Sequence, residues 1–128
     1  MTPRILIVDD SRTARCALRM MLADRYEVHE AGDGATCFAR VRAARPQLIL
    51  MDVMMPGMDG IAISSSLRAH PATRDIPIIL VTSMSSEWDV EAGYSSGCAD
   101  YILKPVDRTE LLVKVASCLA GAVDARAS

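Results

Sequence analysis

Several things are missing from this sequence of 128 residues, and each absence excludes a class of function. No apolar run approaches the roughly 18 consecutive residues that a membrane-spanning helix needs. There is no surplus of positive charge either: 14 Lys and Arg face 16 Asp and Glu, for a net charge of −2 and a pI near 5.6. A surface that binds nucleic acid needs clustered cations to displace counterions from phosphates, so this balance argues against one. Arg4, Arg12, Arg15, Arg19 and Arg25 bunch near the start, but at helical spacing they read as a solvated outer face. The four cysteines, Cys16, Cys37, Cys98 and Cys118, show no Cys-x-x-Cys spacing, so neither a zinc knuckle nor a redox motif is indicated. They read as small core or boundary residues in a reducing compartment. The opening Met-Thr-Pro-Arg runs straight into Ile5-Leu6-Ile7-Val8 and lacks the apolar length and cleavage site of a secretory signal, so a cytoplasmic location is expected.

What is present is a chain with 51% hydrophobic and 23% charged residues, sized for one compact domain with a single core. Its periodicity alternates. Ile5 to Val8 is a β-branched run; Ser11 to Ala23 then places Ala14, Ala17, Leu18, Met21 and Leu22 on one helical stripe. Tyr26 to Ala31 reads as a second strand, Gly32-Asp33-Gly34 as a turn, and Ala35 to Ala44 as a helix stopped by Arg45-Pro46. Leu48 to Met51 is a third strand, and Ile61, Ile63 and Leu67 mark a short helix ending near His70-Pro71. Pro77 to Thr82 is a fourth apolar run. The predicted fourth helix, 83–96, carries Gly93 and several serines and is expected to be the least rigid. Asp100 to Leu103 is a fifth strand, and Asp107 with Glu110 has the spacing of a capping box ahead of Leu111, Leu112, Val115 and Leu119. Five strand–helix repeats with apolar strands predict a doubly wound parallel α/β sheet, with the flavodoxin-like (βα)5 strand order 2-1-3-4-5. The domain is expected over residues 1–120, with 121–128 as a flexible tail or the start of a linker.

In such a sheet every strand delivers its last residues to one rim, where α/β proteins place their chemistry. Here the rim receives Asp9 and Asp10, Asp52, Thr82 and Lys104. An Asp before Pro-Gly also suits a turn, so Asp52 alone decides little; the joint placement decides more. Three crowded carboxylates repel, and one tends to take up a proton unless a cation neutralises them. Hard oxygen ligands of this kind suit Mg2+. A carboxylate beside magnesium, with an ammonium and a hydroxyl in reach, suits in-line attack on a phosphoryl group, giving an acyl phosphate on Asp52.

These residues carry a resemblance. Leu6-Ile7-Val8-Asp9-Asp10, Leu50-Met51-Asp52-Val53-Met54-Met55-Pro56-Gly57-Met58-Asp59-Gly60, Leu80-Val81-Thr82-Ser83 and Asp100-Tyr101-Ile102-Leu103-Lys104-Pro105 together resemble the receiver domain of two-component response regulators, of the stand-alone chemotaxis-regulator type. The resemblance reaches to about Ala120. It implies that Asp52 is the phosphoacceptor, served by a histidine kinase or histidine phosphotransfer protein. It implies that Asp10 ligates magnesium directly, that Asp9 does so through water, and that the Met54 backbone carbonyl is a further ligand. Lys104 would pair with the phosphate or with Asp52, and the Lys104-Pro105 bond would be cis. Thr82 and Tyr101 would form the switch, the hydroxyl swinging toward a phosphorylated Asp52 and the ring rotating inward. The output surface for a downstream protein target would lie on the fourth helix, fifth strand and fifth helix. There Glu87, Val90 or Glu91, and Tyr94 share a stripe beside Trp88 and Tyr101; Val90 reads equally well as core and Trp88 as a loose surface residue.

The resemblance implies that the side chains two beyond the acceptor and two beyond the switch threonine help set how quickly water removes the phosphoryl group. Here they are Met54 and Met84, neither able to orient an attacking water, so a long-lived acyl phosphate is expected. Cys98 stands where alanine is usual and is expected to be silent. A haloacid-dehalogenase-type phosphatase would need an acid where Met54 stands. The expected protein is a phosphoacceptor with intrinsic autodephosphorylation, not a turnover enzyme. A receiver-shaped docking module that works without phosphorylation, and a receiver cut from a larger hybrid kinase or output protein, stay open as alternatives.

Overall fold

A computed structural model describes residues 2–55, 58–83 and 97–127 of the chain. Five parallel strands, β1 (Arg4–Val8), β2 (Glu27–Ala31), β3 (Leu48–Asp52), β6 (Ile78–Thr82) and β7 (Asp100–Leu103), form one sheet in the order β2-β1-β3-β6-β7. In terms of the expected strands this is 2-1-3-4-5. Four helices are described: α1 (Arg12–Leu22), α2 (Gly34–Ala44), α3 (Gly60–Ala69) and α4 (Arg108–Ala127).

The unbroken apolar character of the central strands has a direct structural reason. Every residue of β3 and of β6 is buried, because both faces of the sheet are covered. Successive side chains alternate between the faces. Leu6, Val8, Ile49, Met51, Ile78 and Leu80 meet Cys37 and Val41 of α2 and Ile63 and Leu67 of α3. Ile5, Ile7, Leu48, Leu50, Ile79 and Val81 meet Leu18 and Leu22 of α1 and Leu111, Leu112 and Val115 of α4. The chain therefore builds two cores separated by one sheet. The inward stripe of α1 is narrower than expected, since Ala17 is exposed and Ala14 only half-buried.

Side-chain caps set the helix starts. Ser11, Asp33, Asp59 and Asp107 each accept a hydrogen bond from a backbone N–H of the following turn, those of Ala14, Thr36, Ile61 and Glu110. The Glu110 carboxylate sits 3.4 Å from the Lys114 ammonium, an i,i+4 pair along α4. At the end of α2, Arg45 takes a left-handed conformation with φ 47°, and Pro46 then prevents any return to helix.

Four expectations change. Where a plain loop was expected after Asp52, a two-stranded antiparallel hairpin forms, β4 (Met54–Met55) pairing with β5 (Met58–Asp59). The last helix continues to Ala127, so the segment expected as a flexible tail or linker start is helical from Gly121 to Ala127. Cys16 is exposed on α1, whereas burial holds the thiols of Cys37 and Cys98 protonated, pushed up to about 12 and about 11. The arginines are not simply a solvated face. Arg4 donates to the carbonyls of Ala44 and Arg45 at the end of α2, and Arg15 and Arg19 both bind Glu30. The expected helix over 83–96 lies, from Met84 on, outside the described residues. Among the described residues no helix is long and apolar enough to cross a membrane.

Ser64 on α3 is fully buried, and its hydroxyl has no hydrogen-bond partner among the described residues. Such a group loses its bonds to water and gains nothing in return. Ser64→Ala should therefore raise the unfolding free energy by about 1 kcal/mol, seen as a higher urea midpoint at unchanged slope.

Candidate functional site at the carboxyl edge of the sheet

The ends of β1, β3, β6 and β7 bring Asp9, Asp10, Asp52, Thr82 and Lys104 to one rim. Asp9, Asp10 and Asp52 each offer a carboxylate oxygen, all within 4.8 Å of one another. Asp9 and Asp52 are 2% and 6% exposed, while Asp10 is open to solvent. The Lys104 ammonium reaches into this acidic corner, 3.3 Å from Asp9 Oδ2 and 3.6 Å from Asp52 Oδ1. It thus bridges the two buried acids: the expected pairing with Asp52 is present, and Asp9 is a second partner.

Local structure holds each group in place. Asp9 is fastened at four points: its N–H donates to the Ala31 carbonyl, its carbonyl accepts from Arg15 Nη1 at 2.7 Å, Oδ1 accepts from the Ser11 N–H at 2.9 Å, and Oδ2 faces Lys104. The backbone N–H of Met54 lies on the Asp52 side of the turn and favours the charged carboxylate. Lys104 follows the last strand through a backbone bond, its N–H donating to the Thr82 carbonyl at 2.8 Å, and the peptide it forms with Pro105 is cis. Thr82 is fully buried at the end of β6.

Gly60 is required by close approach. A Cβ there would stand 2.0 Å from the Asp52 carbonyl oxygen, and the Gly60 N–H donates to the Val53 carbonyl at 3.0 Å. The start of α3 therefore lies directly on the turn that presents Asp52. The sequence pattern contained this glycine, but nothing in it revealed which backbone atoms it lies against.

The electrostatics are those of a site short of positive charge. Burial, and then the neighbouring Asp9 carboxylate, push the Asp52 carboxyl above its ordinary range; Lys104 and the Met54 N–H pull back only in part. The donor set fits a hard divalent cation: three carboxylates, one of them open to solvent and able to share its ligand with water.

The expected switch residues are placed unequally. Tyr101 sits on β7 opposite Leu80, only 8% exposed and packed in the core on the α2–α3 side. Little of Tyr101 reaches the surface on this side of the sheet. Glu87, Trp88, Val90, Glu91 and Tyr94 of the expected output surface, and Met84, lie outside the described residues. Met54 is 62% exposed, so its side chain stands at the open side of the rim.

Sequence reasoning missed Arg15 and Glu30. Arg15 binds the Asp9 carbonyl and, through Nε, Glu30 Oε1 at 3.0 Å; Arg19 Nε binds Glu30 Oε2 at 2.7 Å. Burial works against the Glu30 charge, but the bonds to Arg19 and Arg15 prevail and hold its carboxyl below the usual range. The i,i+4 spacing of the two arginines was the available signal. What turned it inward was the acid on β2, which no spacing connects to α1.

Residues 5–116 match the family described as the response regulator receiver domain. The chain is 41% identical over 118 residues to the response regulator PleD of Caulobacter vibrioides, which takes in 91% of this chain but only 26% of PleD. It is 40% identical over 119 residues to the protein PilH of Pseudomonas aeruginosa, covering 92% of this chain and 98% of PilH. A crystal structure of a putative response regulator from Chloroflexus aurantiacus superimposes with a TM-score of 0.89 at 32% identity, over 94% of this chain and 99% of that one.

Because the folded-state Asp52 carboxyl is raised, its ionisation at neutral pH opposes folding, and the stability present at low pH is lost as pH rises through the shifted value. Without divalent cations, Asp52→Asn should therefore be more stable than the parent at neutral pH, and the gap should close toward about pH 4, the ordinary carboxylate range. Urea midpoints at the two pH values measure both.

Proposed function

The chain belongs to the response regulator receiver family of two-component signalling, and on that premise we propose that Asp52 is its phosphoacceptor. The observation that carries the proposal is the meeting of two buried carboxylates with a single ammonium at the carboxyl edge of the sheet. Asp10 and Asp52 would hold Mg2+ through their carboxylates, Asp9 through water and Met54 through its backbone carbonyl, and the bound ion would offset charge on the phosphoryl oxygens.

The protein's own groups carry the rest. One Asp52 carboxylate oxygen attacks the phosphorus of a phosphohistidine on a histidine kinase or phosphotransfer protein; the P–O bond forms as the P–N bond breaks, and the imidazole leaves with its electron pair. Lys104, already 3.6 Å from Asp52, neutralises the incoming oxygens while staying paired with Asp9. The Met54 N–H favours the charged form of the attacking carboxylate. Thr82 supplies a hydroxyl donor to the dianion, and its strand end is joined through its carbonyl to the Lys104 N–H. The added charge thereby reaches β7 and the surface beside it, where a downstream protein target binds.

The acyl phosphate is removed by water at the same site, with Met54 and Met84 offering no group to orient it. Residues 1–120 act as the receiver unit, in the cytoplasm, either as a free signal carrier of PilH's size or as the receiver portion of a longer protein, as its match to PleD allows.

Incubation with acetyl phosphate and Mg2+ should add one phosphoryl group to the parent and none to Asp52→Asn, read by intact mass. A parent left unmodified while folded overturns the assignment. Met54→Asn combined with Met84→Glu should shorten the lifetime of the phosphorylated form several-fold, and equal decay rates would remove the shielding role of the methionines.

A further inference from the structure

Arg15 and Glu30 lie outside the set of groups that meet at the rim, yet they are built into it. The Arg15 side chain is 18% exposed and spans three elements: it leaves α1, binds Glu30 of β2 through Nε at 3.0 Å, and binds the Asp9 carbonyl at the end of β1 through Nη1 at 2.7 Å. Room for its guanidinium is left by Gly32, where a Cβ would stand 3.2 Å from Nη1. The far end of Glu30 is held by Arg19, so the carboxylate is gripped on both oxygens. The Asp9 N–H is tied to Ala31 in the same corner.

We infer that Arg15 and Glu30 are positioning residues for the cation site: the clamp from Glu30 through Arg15 to the Asp9 carbonyl fixes the backbone from which the Asp9 and Asp10 carboxylates project. The inference rests on the proposed magnesium-dependent role of the acidic cluster. A fork that binds a carboxylate with one nitrogen and a carbonyl with another requires the planar guanidinium; a lysine ammonium offers no second arm at that separation. Glu30→Gln weakens the acceptor and leaves Arg15 and Arg19 without a neutralising charge near the acids. Both changes act in the same direction, toward poorer cation binding. Groups that orient ligands from behind commonly set metal affinity by tenfold or more.

The experiment titrates Mg2+ alone into the parent, Glu30→Gln and Arg15→Lys by isothermal calorimetry, at low salt and in excess KCl, with urea unfolding as a check on folding. Each variant should bind Mg2+ about tenfold more weakly, and the loss should persist in high salt because it is geometric. Phosphorylation by acetyl phosphate should need more Mg2+ for half-maximal rate yet reach the parental rate at saturation. A merely structural pair would lower the urea midpoint and leave the Mg2+ affinity unchanged, which overturns the inference while the parent still binds and is phosphorylated. A loss abolished by salt also overturns it, since only charge would then be at work. A parent that binds no Mg2+ overturns the proposed function, and the clamp with it.

Discussion

The carboxylates of Asp9 and Asp52 are withdrawn from water side by side, with one ammonium, that of Lys104, between them. One positive charge cannot satisfy two buried negative ones with Asp10 adjacent. The imbalance appears in the raised Asp52 carboxyl. A group kept in this condition has a use for additional positive charge, and a site that tolerates the imbalance must be held rigidly, since any free carboxylate would turn outward to water. The remaining features of the rim answer that second requirement.

Rigidity comes from the sheet. The central strands β1, β3 and β6 are covered on both faces, and their last residues inherit the precision of a close-packed interior. Asp52 ends β3 in register with Val81, and the next residue of β6 is Thr82. Gly60 lets α3 begin against the Asp52 carbonyl, so the turn after the acid is fixed by backbone contact. On the other side, Asp9 is held by bonds to β2, α1 and the first turn of its own loop. The site is thus an assembly of strand ends, in which no single loop supplies more than part of the chemistry.

The same construction links the site to its surroundings. Lys104 is bound to the Thr82 carbonyl by its N–H and to the acids by its side chain, so β6 and β7 feel the charge at the rim together. On the outer edge of β7, Lys114 of α4 donates to the Tyr101 carbonyl at 2.8 Å and lies 3.7 Å from Asp100. This edge strand is in this way tied at one point to its own helix.

Local pattern by itself determined the five strands, the four described helices and the two-sided burial of the sheet, because apolar runs and caps leave few other solutions, and the strand order followed as the commonest arrangement for such units. It also placed Asp9, Asp10, Asp52, Thr82 and Lys104 on a common rim, since parallel strands must all end at the same edge. Pairing across long separations lay beyond it. That Lys104 bridges two acids, that Gly60 touches the Asp52 carbonyl, that Arg15 and Arg19 turn inward to Glu30, and that Tyr101 is already buried are consequences of which surfaces meet. A helical spacing of arginines is the same whether the face looks at water or at an acid on the next strand; only the packing of α1 against β2 decided which.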